Sequence, residues 1–151
     1  MTSIDYRYDE CGLDNVILSG LTVVKDDDGD DVITIPHIGA LHRLLVSMVA
    51  SKPSGLEPKE VRFLRTELGM TQAELAELVG RDAQTVGRWE RGENPVDRAA
   101  EVVIRAHAIQ KAGNGEIPQI QDLAVKTTPT VNQAPFRIDA SNPDDYRPMA
   151  A

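Results

Sequence analysis

The spacing of hydrophobic residues divides the chain into three parts, and the first part is typical of β-structure. Between residues 6 and 35, short runs such as "YRYDE", "NVILSG", "LTVVK" and "DVITI" are rich in β-branched or aromatic residues and are separated by turn residues. Asp28 and Gly29 lie between two of these runs and predict a tight hairpin turn. This part of the sequence therefore predicts a small antiparallel β module.

After Pro36 the hydrophobic spacing changes to intervals of three and four, which is typical of one apolar face of a helix. The helix is expected to end before the linker-like "KPSG" of residues 52–55. We therefore predict a first domain over residues 1–52. The residues on the apolar face are Ile38, Leu41, Leu44, Leu45, Met48 and Val49.

Residues 58–111 predict four or five helices joined by short turns, within a second domain at 56–111. Thr71 and Glu74 form a capping-box pattern at the start of one helix, and Gly80 ends it. Asp82 can cap the next helix, which Gly92 ends. A last, longer helix spans residues 96–111, and its predicted inner stripe is Ala99, Val102, Val103, Ala106 and Ile109.

Beyond Gly113 the chain has scattered prolines and no sustained period, so residues 112–151 predict a flexible tail. The apolar islands "IPQIQDLAV" and "APFRIDA" within it could still dock on the body or on a partner. The fold class expected for the whole chain is α+β: an N-terminal antiparallel β module plus helix, an all-α five-helix domain, and this tail.

Composition and charge restrict the possible classes of function. The chain is 41% hydrophobic and 26% charged, as in soluble globular proteins, and its apolar runs are too short to span a bilayer. With no visible signal peptide and a single cysteine, we expect a bacterial cytoplasmic protein. The net charge of −8 argues against nucleic-acid binding, but residues 58–111 hold nine basic and nine acidic residues, which permits a local basic face.

The predicted helix after Asp82 separates its polar and apolar side chains. At about 100° per residue, with Gln84 at zero, Arg88 falls near 40° and Arg91 near −20°, whereas Val86 falls near 200°. Two short helices around Gly80 have the shape of a helix-turn-helix, whose second helix can lie in the DNA major groove. The alternative is an ordinary solvated helix face.

The side chains of this region suit contacts with DNA. Glutamine can bond adenine and arginine can bond guanine, each through two hydrogen bonds. Trp89 is expected in the domain core, and Glu90 is expected to pair with Arg62, Arg65 or backbone. The predicted base-reading residues are Gln84, Arg88 and Thr85, and the predicted phosphate-binding residues are Gln72, Arg81, Arg91 and Thr71.

Other kinds of site fit the sequence poorly. A calcium loop starting at Asp26 would need a glycine at its sixth position and a glutamate at its twelfth, where the chain has Asp31 and His37. His37 and His42 have no partners at metal-ligand spacing, and there is no phosphate loop and no nucleophile paired with a base. We therefore expect no enzyme, no metal and no cofactor.

The segment "VRFLRTELGMTQAELAELVGRDAQTVGRWERGENP" resembles the helix-turn-helix of the Cro and phage-repressor (XRE) superfamily. The order of "YRYDECGLDNVILSGLTVV", "IPHIGALHRLL" and "EVRFLR" also resembles antitoxins of the MqsA (YgiT-type) family. That family holds zinc through two Cys-x-x-Cys pairs, and this chain has only Cys11, so zinc is not carried over. The family's base-reading positions match Gln84 and Arg88.

The resemblance implies a repressor that binds double-stranded operator DNA as a homodimer on a palindrome in its own promoter, associated with the nucleoid when bound. It further implies an antitoxin of a type II toxin–antitoxin system with a cognate toxin as partner. The helix at 96–111 is the first expectation for the dimer surface and the tail the second. Two alternatives stay open: a stand-alone phage or mobile-element repressor, including a regulator of an anti-defence operon, and a protein-interaction module that uses the acidic N-terminal sheet.

Overall fold

The protein is described by a computed structural model that covers residues 2–113, 119–125 and 134–149. The described residues form five strands and six helices, so the mixed α+β class is confirmed. They group into two compact units, Met1–Leu45 with Gln133–Ala151, and Val46–Asn132. The division falls inside a helix rather than after residue 52, and the C-terminal residues belong with the N-terminal ones, which differs from the predicted domain limits.

A five-stranded sheet forms the first unit around its longest strand. The strands are β1 (Thr2–Arg7), β2 (Val16–Lys25), β3 (Asp31–Ile33), β4 (Phe136–Asp139) and β5 (Arg147–Met149). β2 pairs antiparallel with β1 and with β3, and parallel with β4, which pairs antiparallel with β5. Val16, Leu18 and Leu21 of β2 are buried and form the core of this unit.

Two predictions made from the sequence concern β2 and the turn that follows it. "NVILSG" and "LTVVK" were expected to be separate strands, but they form one strand because Gly20, at φ 77°, makes a bulge rather than a turn. The predicted hairpin at Asp28 and Gly29 is confirmed, since the Gly29 amide donates to the Asp26 carbonyl at 3.1 Å. The Asp26 amide in turn donates to the Asp30 carbonyl at 2.9 Å.

The prediction of a flexible tail over 112–151 is wrong for the residues that the structure describes, whereas the alternative that its apolar islands dock on the body is confirmed. β4 lies beside Val16–Ser19 of β2, and Ile138 at its centre is fully buried. A further helix, α6 (Ile120–Val125), buries Leu123. The burial of these short apolar islands supplies the free energy that a flexible tail would lack. Residues 114–118, 126–133, 150 and 151 lie outside the described part of the chain.

The first helix, α1 (Ile38–Ser51), has the predicted limits. Leu41, Leu45 and Val49 are fully buried, as their spacing predicted. The hydroxyl of Tyr8 lies 2.6 Å from Nε2 of His42, and exposed His37 lies 3.2 Å from a carboxylate oxygen of Asp144.

Four further helices follow between residues 58 and 112. They are α2 (Pro58–Glu67), α3 (Gln72–Val79), α4 (Ala83–Glu90) and α5 (Arg98–Ala112). Val61, Leu64, Leu75, Val86 and Ile104, one or two from each helix, are fully buried and form the core of the second unit. No helix among residues 2–113 and 119–125 is long and apolar enough to cross a membrane.

The predicted inner stripe of α5 is wrong, because the helix turns a different face to the core. Val103 is 39% exposed and Ala99 is also exposed, whereas Glu101 and Arg105 are buried. Ala100, Ile104 and Ala108 complete the buried face. Of the apolar residues that the periodicity assigned to the core, two lie on the surface, and Val102, Ala106 and Ile109 are only half-buried.

Hydrogen bonds to backbone explain why α5 buries charged residues. Arg105 donates to the carbonyls of Ala50 at 3.0 Å and Lys52 at 2.9 Å, and pairs with Glu101 at 3.4 Å. Glu101 accepts from the Leu56 amide at 2.8 Å. The segment between α1 and α2 would otherwise bury these polar groups without partners, which is costly.

Candidate nucleic-acid interface

The turn between α3 and α4 is built by local sequence signals. The Thr71 hydroxyl accepts from the Glu74 amide and the Glu74 carboxylate accepts from the Thr71 amide, each at 3.1 Å, so the predicted capping box is confirmed. Gly80 adopts a left-handed conformation at φ 71°, which lets the Arg81 amide donate to the Ala76 carbonyl at 2.8 Å. These contacts end α3 sharply and direct the chain into α4.

The start of α4 is fixed by Asp82. Its carboxylate accepts from the amide of Thr85 at 2.8 Å and from the hydroxyl of Thr85 at 2.9 Å, so the predicted cap is confirmed. The same hydrogen bonds hold the pKa of the Asp82 carboxyl below its usual range. Because the Thr85 hydroxyl already donates to Asp82, the side chain of Thr85 is turned toward its own helix start.

The orientation of α4 follows the predicted separation of polar and apolar side chains. Val86 is fully buried and Trp89 is 3% exposed, so both lie in the core. Gln84 and Arg88 are exposed on the opposite side of the helix. We call the stripe of Gln84, Arg88 and Arg91, with the buried Gly87 between them, the reading face.

Beneath the reading face, Glu90 connects three helices. It accepts from Arg65 of α2 through Nε at 2.6 Å and Nη2 at 3.0 Å, which decides the expected choice between Arg62 and Arg65. It also accepts from Nε2 of Gln72, the first residue of α3, at 3.3 Å. Nη1 of Arg65 also donates to the Met70 carbonyl at 3.0 Å. The buried carboxylate of Glu90 therefore connects α2, α3 and α4.

A surface depression of about 430 Å³ opens on the reading face. Its floor is Gly87, which has no side chain to fill it. A Cβ atom added at Gly87 would lie 3.0 Å from Nη1 of Arg91 and 3.6 Å from Oε1 of Gln72. The lining residues are Gln72, Ala83, Gln84, Gly87, Arg88 and Arg91.

Arg91 was expected to bind phosphate at the end of α4. In the structure its guanidinium folds back over Gly87. Nε donates to Glu93 at 3.1 Å and Nη2 donates to the other carboxylate oxygen at 3.2 Å. This pair raises the pKa of Arg91 and lowers the pKa of Glu93. Ala83 and Glu93 were not predicted from the sequence as part of this site. The only sequence signal was the glycine at position 87, whose lack of a side chain permits another group to approach α4 closely.

The other predicted phosphate-binding residues lie at the ends of α3. Gln72 and Thr71 stand at its start. The exposed Thr71 hydroxyl accepts from the Glu74 amide, and the hydrogen bonds of the Glu74 carboxylate with the amide and the hydroxyl of Thr71 lower the pKa of Glu74. Arg81 follows its end and pairs at 2.6 Å with Asp97, with 47% of the Arg81 side chain exposed. Binding a phosphate through Arg81 therefore requires exchange of this partner.

The described residues show no group suited to metal binding. Within residues 2–113, 119–125 and 134–149, no cluster of three or more His, Cys, Asp or Glu side chains could hold a metal ion. The acidic hairpin turn uses its carboxylates locally instead, since Asp26 accepts from the amides of Asp28 at 3.0 Å and Asp30 at 2.9 Å.

Comparison with known families gives one match. Residues 61–98, about a quarter of the chain, match the family model described as helix-turn-helix. The matched range contains α3, α4 and every residue that lines the depression. No significant match to the chain was found among curated proteins or among solved structures. The match supports a DNA-binding transcription regulator with an XRE-type helix-turn-helix.

Proposed function

We propose that this protein is a sequence-specific repressor whose helix α4 lies in the major groove of double-stranded DNA. The observation that carries the proposal is the reading face: Gln84 and Arg88 point outward from the second helix of a helix-turn-helix, while Val86 and Trp89 fix its inner side. Gln84 pairs with an adenine edge and Arg88 with a guanine edge, because these side chains match the donors and acceptors of those bases.

Phosphate contacts position the reading face in the groove. Thr71 and Gln72 meet one phosphate at the start of α3, where free amide hydrogens and the positive end of the helix dipole favour an anion. Arg81 meets a second phosphate by exchanging Asp97, a half-exposed partner whose loss costs only about 0–1 kcal/mol. Thr85 contributes its methyl group near a thymine, since its hydroxyl is bound to Asp82.

The repressor acts as a homodimer on a palindromic operator, because one reading face covers only a few base pairs. The exposed apolar face of α5 supports this arrangement: Ala99 and Val103 lie on the surface, with half-buried Val102 and Ala106 beside them. Val103→Glu is expected to shift the protein from dimer to monomer in sedimentation velocity while leaving its helix content unchanged. Gln110→Glu, which introduces the same charge at an exposed position near the end of α5, is the control. A dimer that persists in the Val103 variant would exclude this face.

A role as an autoregulating antitoxin extends the proposal to the first unit. Val24 and Val32, which are paired across the β2–β3 hairpin, are 51% and 39% exposed on one face of the sheet and lie beside residues 26–31, which include five aspartates. Such a surface favours a basic protein partner. The test is whether the protein encoded by the neighbouring gene co-purifies with this chain. Co-purification that is lost with Val24→Asp and retained with Thr22→Asp would support a toxin partner. Independent elution of the two proteins favours a stand-alone repressor.

DNA binding is tested by fluorescence anisotropy with a labelled duplex from the region upstream of the gene. Arg88→Ala is expected to weaken binding by about 1–3 kcal/mol and to relax the preference for one base pair. Arg62→Ala removes another exposed arginine, from α2, and serves as the control. Equal affinity of the wild type and Arg88→Ala would exclude the proposed role of the reading face.

A further inference from the structure

Arg91 differs from the other candidate contacts in how its guanidinium is held. Two of its five N–H groups, on Nε and Nη2, are taken by the two carboxylate oxygens of Glu93. The edge that carries Nη1 and the second hydrogen of Nη2 has no partner among the described residues, and it faces the depression over Gly87. Two parallel N–H groups are what the O6 and N7 atoms of guanine accept.

Gly87 makes this position of Arg91 possible. The guanidinium lies where a side chain at residue 87 would otherwise stand, since an added Cβ would be only 3.0 Å from Nη1. The side chain therefore reaches back along α4 toward its N-terminal end. The N-terminal part of a recognition helix is the part that contacts base edges, whereas phosphates flank the groove.

Pairing with Glu93 orients the guanidinium of Arg91. The two side chains are similarly exposed, at 58% and 54%, and their charges cancel locally. Arg81 is paired in the same way with Asp97, so the pairing alone does not decide between a phosphate and a base; what distinguishes Arg91 is that the two carboxylate oxygens of Glu93 hold its donors in one plane over Gly87. Bidentate donors in a fixed plane select a base edge, which a mobile point charge does not.

We infer that Arg91 is a third base-reading residue, which recognises a guanine through the guanidinium edge that lies over Gly87 and is oriented by Glu93. This inference rests on the proposed function, because it assigns a specificity to the same reading face. It changes the expected role of Arg91 from a contact that holds DNA to one that selects a base pair.

The test uses duplexes that the wild-type protein enriches from a random-sequence pool, together with every single base-pair substitution of them. Arg91→Lys keeps the positive charge and loses the paired donors. It is expected to lose a preference of roughly 10- to 100-fold at one G·C pair, with the preferences at other positions unchanged. Gly87→Ala is expected to lose the same preference, because the added methyl group displaces the guanidinium, and its melting temperature should be no lower than that of the wild type.

The outcomes separate this inference from the proposed function. If Arg91→Ala lowers the affinity for all duplexes alike and reduces the slope of log K against log salt by about one, Arg91 binds phosphate and the inference is wrong while the proposed function stands. The inference is equally wrong if Gly87→Ala keeps the wild-type preference at every position. If the wild type enriches no sequence at all, the inference and the proposed function are both wrong.

Discussion

The buried carboxylate of Glu90 makes a strong prediction about the stability of the helical unit. Its side chain is 5% exposed and its two short hydrogen bonds come from Arg65, which is itself 16% exposed. The same contact raises the pKa of Arg65. Arg65→Met keeps the aliphatic length of the side chain and removes both hydrogen bonds. Among the described residues, Glu90 then keeps one hydrogen bond to its buried carboxylate, the 3.3 Å contact from Gln72.

The expected loss in free energy of unfolding follows from removing the partner of a buried charge. Removing one partner of a buried ion pair costs about 3–5 kcal/mol, and the partial exposure of Arg65 places the value near the lower end. A loss of about 3 kcal/mol corresponds to a fall in melting temperature of roughly 12–24 °C for a unit of this size. Arg62→Met is the matched control, since Arg62 lies on the same helix and is exposed.

Trp89 provides the assay. It is the only tryptophan in the chain and is 3% exposed, so its fluorescence reports unfolding of the unit that contains α2 to α5. Urea titrations of the wild type, Arg65→Met and Arg62→Met give three free energies of unfolding. If Arg65→Met costs less than about 1 kcal/mol, in the range of an exposed ion pair, the reasoning from burial is refuted.

Two further substitutions test the cap of α4 and the burial of β4. Asp82→Ala should destabilise α4 at neutral pH. Because the pKa of Asp82 is lowered in the fold, the difference in stability between this variant and the wild type should shrink as the pH falls through that pKa. A difference in melting temperature that does not change with pH would contradict the capping role. Ile138→Ala should cost about 2–5 kcal/mol and expose the amides of β2 to hydrogen exchange, whereas Met149→Ala, which removes a side chain that is 42% exposed, should leave them protected.

The sequence predicts the helix-turn-helix well because its signals are local. The capping pair Thr71 and Glu74, the Asp82 cap and the glycine at position 80 each act within a few residues, and each forms the contact that its spacing indicates. Hydrophobic periodicity then determines which side of α4 faces inward, since Val86 and Trp89 both lie in the core.

The features that the sequence misses depend on distant partners. β4 pairs with β2 across more than 110 positions of the chain, so no local pattern distinguishes its short apolar run from a tail. In α5 the periodicity identifies an apolar face, but Arg105 and Glu101 are buried instead because they satisfy backbone groups of residues 50–56. Polar groups that need partners outweigh apolar burial there.

The candidate site shows the same limit. The exposure of Gln84 and Arg88 can be predicted from helical angles alone, and exposure is the property on which their predicted base-reading role depends. The position of Arg91 depends on the absence of a side chain at Gly87 and on the carboxylate of Glu93. A helical projection treats every side chain as pointing straight outward, so it places Arg91 at the helix end and misses its return over the reading face.

The central claim is that α4 reads DNA sequence, and selection from a random-sequence duplex pool tests it most directly. The wild type is expected to enrich an inverted repeat with half-site centres about 10–10.5 base pairs apart, or a multiple of this spacing. Each half-site should contain an adenine and a guanine, and Arg88→Ala should lose the requirement for the guanine. A pool that stays random at low salt, or an enriched motif that Gln84→Ala and Arg88→Ala leave unchanged, would contradict the account.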